Sequence, residues 1–577
     1  MHTWGRSGRP YSLQRRWASS WVQGMPAGFP SGMPGMALEI AGAVQQAPHC
    51  GRHGMGARFM QFILIVSWEF ERHFQGSRLH NARMNKLPIL LLAVLGAAHA
   101  AETASMPTAP SSSRDWRAMA ATDLEAARAA IRADHPGYID QQNPAFRTWE
   151  AKGYEQARAL LARVNSYDSM VAAVSYYIAG FEDGHLSYSS APARNGEPVT
   201  MAGWRLDYVD GAYRVGAQLP HWPRPLPPLG AQLLSCDGMA PEQRLRQVGK
   251  YNDGRDLPGV YHDLASVFTS LDMPGEELRQ CSFRTADGKV ATFRQDYRQV
   301  PYADFKELFK TLPQAQRFNA YSLQDGVLWI RAANFNPDRA AAQNIERMVE
   351  ELPRLQGVRS IVFDTRGNGG GNSAIGDRIF DAATGGLEYD KTNLDSVPRI
   401  YAQWRVSDDA IASLESRIAR MSAAQGADSI DVKWVTALRD SMRKAKADGL
   451  PWIEQPGSAA RLTRADIVAR NGKLRRFSGS VVLLTDENCA SSCLNFADSL
   501  RKVPGAIHMG QATSADTVYI DVGHVRLPSG NHLVMPHKVW RNRLRGNNEA
   551  LQPDVPLQVN MRDDAAVRQA VLDALSR

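Results

Sequence analysis

The sequence predicts an α/β protein with a helical amino-terminal part, a small β-rich middle and a carboxy-terminal half built on a mostly parallel sheet. Three observations predict it. Over 115–195, DWRAMAATDLEAARAAIRADHP and SMVAAVSYYIAGFEDGH carry apolar residues at helical spacing before a glycine break. Over 200–300 the pattern changes to short strand-like runs, with turn dipeptides at Asp210-Gly211, Asp237-Gly238 and Asp287-Gly288. From 315 to 577 strands and helices alternate: GVLWIRAANF, NIERMVEELPRL, SIVFDTRGNGGG, NSAIGDRIFDAAT, SVVLLTD, SSCLNFADSLRK. Such alternation implies parallel strands covered by helices. A charged helical insertion, 387–473, interrupts this half.

The amino terminus reads as targeting sequence. From Met84, MNKLPILLLAVLGAAHAAET has a basic residue, about a dozen apolar residues and small residues at Ala98 and Ala100. This is a signal-peptide pattern, shorter than the roughly 20 residues of a membrane span. Residues 84–101 are therefore expected to be a signal peptide, with Met84 the initiator and 1–83 an upstream extension. The expected product is periplasmic or secreted, without stable membrane insertion. Beyond residue 100 there are 57 Lys and Arg against 56 Asp and Glu, a net +1. The basic character belongs to the leader and gives no reason to expect a nucleic-acid partner. The oligomeric state is not legible.

Export frames the cysteines. Cys50 lies in the leader, which leaves Cys236, Cys281, Cys489 and Cys493. In an oxidising compartment an even number suggests disulfides. Pairing Cys236 with Cys281 and Cys489 with Cys493 is expected, with buried free thiols as the alternative. No Cys-x-x-Cys or paired His spacing indicates a metal site. No cofactor is implied.

Three segments carry chemistry. In FDTRGNGGGNS (363–373) an apolar strand runs into four glycines in five positions, which lets backbone amides approach an anion or oxyanion closely. In TDENCASSCLNFADSL (485–500) a serine stands where a strand gives way to a helix, so helix-end amides can stabilise negative charge beside it. A serine there is ordinarily a helix cap. In GFEDGHLSY (180–188), His185 follows an Asp-Gly turn.

With DHPGYID near the start, GQAT and a closing LQPDVPL, these segments occur in the order found in a known family. The chain resembles the tail-specific, or C-terminal processing, serine peptidases, and especially their tricorn-like branch. The resemblance covers about 120–560. It implies a crotonase-like core, a PDZ-like middle carrying GAQLLSCDGMAPEQRLRQV, and hydrolysis of peptide or unfolded protein substrates. It also implies roles: Ser491 as nucleophile, with Ser492 open as an alternative, and an oxyanion hole from the Ser492, Gly369 and Gly370 amides.

One departure is informative. The best-known branch places a Lys general base 25 residues after the nucleophile, where this sequence has Asp516. A carboxylate with an ordinary pKa of about 4 is a poor base for a hydroxyl near neutral pH. The tricorn-like branch uses a His from the helical part, matching His185, and imidazole as a class titrates near neutrality. Its orienting partner is expected to be Glu549, with Asn547, Asn548 and Asp183 as competitors. Two other functions stay open: a non-catalytic binding protein, as in the retinoid-binding relatives of this fold, and an esterase-like hydrolase.

Overall fold

The computed structural model describes residues 114–576, apart from 190–193, 195, 210, 311–316, 386–399, 457–476, 502, 504 and 544. The expectations for residues 1–101, and those for both ends of the 387–473 insertion, lie outside the described residues.

The amino-terminal part is three helices: α1 (Trp116–Asp134), α2 (Pro144–Leu160) and α3 (Tyr167–Ala179). Asp115 caps α1 by accepting from the Ala118 amide, and Ser166 and Ser169 form a capping box on α3. Ala120, Leu124, Ala127 and Ile131 form the single buried stripe of α1, as its spacing predicts. A short strand, β1 (Ser187–Ser189), follows His185.

The middle holds β2 (Val199–Met201), β3 (Trp204–Val209), β4 (Ala212–Gln218), β5 (Gln232–Cys236), α4 (Pro241–Gly249), α5 (Pro258–Leu264), β6 (Gln280–Arg284), β7 (Val290–Arg294), β8 (Arg298–Val300) and α6 (Tyr302–Lys310). Strands β3 to β7 form an antiparallel sheet in chain order, and β2 pairs with β8. The chain turns tightly at Asp237-Gly238, both residues at positive φ, and Gly288 turns β6 into β7. A disulfide joins Cys236 to Cys281 at directly paired positions of β5 and β6.

The carboxy-terminal half runs β9 (Asn319–Gln324), β10 (Val327–Ala332), α7 (Arg339–Glu351), β11 (Ser360–Asp364), α8 (Ser373–Thr384), β12 (Tyr401–Arg405), α9 (Asp408–Gln425), α10 (Ile430–Ala447), β13 (Trp452–Glu454), β14 (Ser480–Thr485), α11 (Ser492–Leu500), β15 (Ile507–Gly510), β16 (Tyr519–Arg526), β17 (His532–Arg541), β18 (Val555–Pro556) and α12 (Asp564–Leu575). One sheet has the order β18-β15-β14-β11-β10-β9 and is parallel except for the β9–β10 hairpin. Its central strands are apolar at consecutive positions because both faces are covered. Ile361, Phe363, Val481 and Leu483 face α7, α8 and α11, whereas Val362, Val482 and Leu484 face α12.

A second sheet positions the site. Strand β17 pairs with β16 along one edge and with both β12 and β1 along the other. The segment at 187–189, read from the sequence with the helical part, is thus stitched into the carboxy-terminal half. Its far face packs Tyr519, Leu533, Met535 and Val539 against α1 to α3. Helices α9 and α10, from the expected insertion, pack over Trp404 of β12 on the near face.

Phe496 of α11 meets Phe335 and Phe363 edge-on in the interior. Phe496→Ala should lower stability by about 3–5 kcal/mol in denaturant unfolding, because it leaves a cavity between helix and sheet. A loss below 1 kcal/mol would show that the helix is anchored elsewhere.

Candidate active site

Strand β14 ends at Thr485, and residues 486–491 turn the chain into α11. Ser491 sits at the turn with φ 53° and ψ −118°, a conformation non-glycine residues rarely adopt. Its side chain makes no capping bond to the helix. The hydroxyl lies instead 3.3 Å from Nε2 of His185, 306 positions earlier in the chain. Ser492, the alternative nucleophile, is buried and donates its hydroxyl to the Gly371 carbonyl at 2.5 Å. Of the two hydroxyls, that of Ser491 is the one against an imidazole.

The glycine loop is pressed onto this turn. The Ala490 amide donates to the Asn368 carbonyl, and the Asn368 side chain is held by the Ala332 carbonyl. A β-carbon on Gly370 would stand 2.7 Å from the Ala490 oxygen and 2.8 Å from both Ser491 Cβ and the Ser492 nitrogen. Gly370 also has φ +95°. Only a residue without a side chain lets the loop reach the Ser492 amide. The Gly370 amide itself donates to Asn368 Oδ1 at 2.8 Å, so in this conformation it is engaged within the loop. Below the loop, both carboxylate oxygens of buried Asp486 accept from the Gly367 amide at 3.0 Å.

The His185 loop is fixed by Asp183. Its Oδ1 accepts from the His185 backbone amide at 2.9 Å and from the Thr517 hydroxyl at 2.7 Å, and its Oδ2 from His135 Nε2 at 3.1 Å. Burial opposes the charge on Asp183, but His135, His185 and Thr517 together hold its carboxyl below the usual range. His135 is fully buried, and this burial lowers its pKa against the opposing pull of Asp183. The His135 Nδ1 accepts from the Gly137 amide, so the ring proton sits on Nε2 and points at Asp183. Asp183 therefore orients the loop and not the ring of His185.

The other orienting candidates are separated by their partners. Asn547 Oδ1 accepts from the Val518 amide, and Asn548 donates to the Glu182 carbonyl, tying its loop to the loop of His185. Glu549 lines the same cleft as His185 and Ser491, but its Oε2 accepts from the Gly546 amide at 2.8 Å. The His185 Nδ1 is buried and without a hydrogen-bond partner. The structure thus brings Ser491 and His185 together and leaves Glu549 turned toward its own loop.

Sequence reasoning considered Asp516 only as the place of an absent Lys. Here it is the centre of a buried ion network. Arg543 and Arg545 both reach its Oδ1, and Arg545 also pairs with Asp498 on α11. Burial works against the charge of Asp516, but Arg545, Arg543 and nearby His185 hold its carboxyl below the usual range. The network fastens three segments: helix α11 that follows Ser491, the 513–517 strand lead-in and the loop bearing Glu549. The paired arginines of RNRLR were the available signal.

A cleft of about 1190 Å³ opens from Ser491 and His185. Its floor is the near face of the second sheet, with Trp404, Ile520, Lys538 and Trp540; its roof includes Met421 and Trp434 of α9 and α10. Lys538 lies 5.3 Å from the ring centres of Trp404 and Trp540, and Asp521, paired with Lys538 and Arg417, is held well below the usual carboxylate range despite its burial. Among the described residues no cluster of three His, Cys, Asp or Glu could hold a metal, and no helix is long and apolar enough to cross a membrane.

Residues 326–557 match the model of peptidase family S41, a span that holds the glycine loop, Ser491, Asp516 and Glu549. Over that span the chain is similar to this family, which supports a serine-type peptidase. Among solved structures, mature CPAF complexed with lactacystin superposes with a TM-score of 0.52 at 13% identity, covering 80% of this chain and 98% of that one. Mature CPAF alone gives a TM-score of 0.50 at 12% identity, with the same coverage of both chains. At these identities the likeness is one of fold. Comparison with curated protein sequences gives no significant match. His185 lies outside the matched span, in the part of the chain that the pairing of β1 with β17 brings to that span.

Two outcomes follow from this geometry. Gly370→Ala should fold but lose at least about 100-fold in peptide turnover, comparable to loss of an oxyanion donor, because the β-carbon pushes the loop off the Ser491 turn. Wild-type turnover in that variant would show the loop to be slack. Asp516→Asn should destabilise the protein at neutral pH by about 3–5 kcal/mol, by leaving Arg543 and Arg545 underpaired. Since the folded carboxyl titrates below its unfolded value of roughly 3.9, this stabilisation is complete above that pH and is lost as the pH falls through the folded pKa. Unfolding curves of the two proteins should therefore converge in strong acid; a gap independent of pH would exclude the ion network as its source.

Proposed function

We propose that the chain is an exported peptidase of the tricorn-like branch, in which Ser491 is the nucleophile and His185 the general base. The observation that carries this reading is the Ser491 Oγ to His185 Nε2 approach at 3.3 Å, within the looser range of an unliganded catalytic pair. Ser491 gives its proton to His185 and attacks the peptide carbonyl. The oxyanion is received by the Ser492 amide at the start of α11 and by an amide of the Gly369–Gly371 turn, with Gly370 taking part by releasing Asn368. His185 then protonates the leaving amine and activates the water that frees the acyl enzyme.

Glu549 is the proposed partner of His185 Nδ1. That nitrogen is buried without an acceptor, and Glu549, which lines the same cleft, would take it by exchanging the Gly546 amide for the ring. The antiparallel β3–β7 sheet with α4 and α5 supports a PDZ-like reading of 200–300, and the helix-covered parallel sheet a crotonase-like reading of 315–577. The roof formed by α9 and α10 favours extended or unfolded peptides over folded proteins. The cysteines and the segment from Met84 support a periplasmic or secreted site of action.

A fluorophosphonate probe tests the assignment. The adduct is expected on Ser491, located by peptide mass, with labelling abolished in Ser491→Ala. An adduct on Ser492, or none in folded protein, would overturn it. Glu549→Ala should slow labelling by about 10–100-fold and Glu549→Gln by less; equal rates to wild type would remove Glu549 from the mechanism. Amino-terminal sequencing of exported protein should begin after Ala100 or Ala101, and any residue from before Met84 would contradict the start-site reading.

A further inference from the structure

The two disulfides differ in what they can do. Cys236–Cys281 joins adjacent strands across a sequence separation of 45. Cys489–Cys493 has a separation of 4 and closes a ring around Ala490, Ser491 and Ser492. A loop that short restricts the unfolded chain least, so its effect on global stability is small. Its effect on the turn is not. Ser491 holds a positive φ that an L-residue keeps only when its surroundings over-determine it. Both half-cystines are fully buried beneath it, and the backbone is fixed at each: the Cys489 carbonyl accepts from the Ser514 amide at 3.0 Å, and the Cys493 amide donates to the Ala490 carbonyl at 3.0 Å.

We infer that the Cys489–Cys493 disulfide is a positioning device for the nucleophile. Oxidised, it holds Ser491 in the strained turn that points its hydroxyl at His185 and keeps the Ser492 amide against the glycine loop. Reduced, the turn relaxes toward an ordinary helix cap and acylation slows. Reduction consumes one dithiol: the S–S bond breaks, two cysteine thiols form and the reductant leaves as its own disulfide. The peptidase is thereby slow in a reducing compartment and fully active only where disulfides form. This rests on Ser491 being the nucleophile.

The test uses the full mature chain, folded with or without dithiothreitol, with free thiols counted by alkylation and mass. Oxidised protein should be labelled by the fluorophosphonate at Ser491. Protein with free Cys489 and Cys493, and the Cys489→Ala/Cys493→Ala variant, should be labelled at least 10-fold more slowly. The kcat should fall while KM changes little, the thermal midpoint of the Cys489→Ala/Cys493→Ala variant should change little, and reoxidation of the reduced wild type should restore the rate. Cys236→Ala/Cys281→Ala should show the opposite pattern, a lower thermal midpoint with kcat retained. Equal labelling of reduced and oxidised protein would overturn the inference, as would loss of labelling only together with unfolding in both the reduced protein and the double variant. Absence of label on oxidised protein would instead sink the nucleophile assignment, and this inference with it.

Discussion

The approach of His185 to Ser491 is the interaction on which the rest depends, and neither residue can reach the other through its own segment. Ser491 is carried by the parallel sheet and α11. His185 is carried by the helical part. The connection is β17, which takes up β1 just after His185 and also binds β12 and β16. The two proposed catalytic positions are thus related through backbone hydrogen bonds in one sheet, and side-chain rotamers make only the last adjustment. A rigid framework of this kind suits acyl transfer, where small displacements of a base are costly.

Around that pair the protein uses buried charge for location more than for chemistry. Asp183 is saturated by His135, Thr517 and the His185 amide, and Asp516 by two arginines. Neither carboxylate is free to act as a base. Each fixes a loop that carries a proposed active group, and each is held ionised by neighbours that outweigh burial. Asp516, at the place where the best-known branch that the sequence resembles has a Lys, serves instead as a clamp on the Glu549 loop, and the base proposed above is His185.

Much of this was legible in the residues, and the parts that were not have physical reasons. The strands SIVFD and SVVLLT announce themselves by continuous apolar character, because both faces of a parallel sheet are covered. The glycine loop is legible for a similar reason, since four glycines in five positions exceed the need of a turn. Ser491 was assigned through motif order, and its local sequence alone reads as a helix cap. The pairing of β1 with β17 spans more than 340 positions and leaves no periodic trace. The role of Asp516 was hidden because it depends on arginines that follow it by 27 and 29 positions and on Asp498 in another element. The engagement of Glu549 with Gly546 is a matter of rotamer, which no pattern encodes.

A double-mutant cycle in peptide hydrolysis tests the central claim most directly. Two groups that act as one unit give non-additive losses. With Ser491→Ala and His185→Ala measured separately and together on one fluorogenic peptide, each folded, the account predicts that the double variant is no slower than Ser491→Ala alone. Losses that multiply, so that His185→Ala slows the Ser491→Ala protein as much as it slows the wild type, would show that the two residues act independently and would contradict the account.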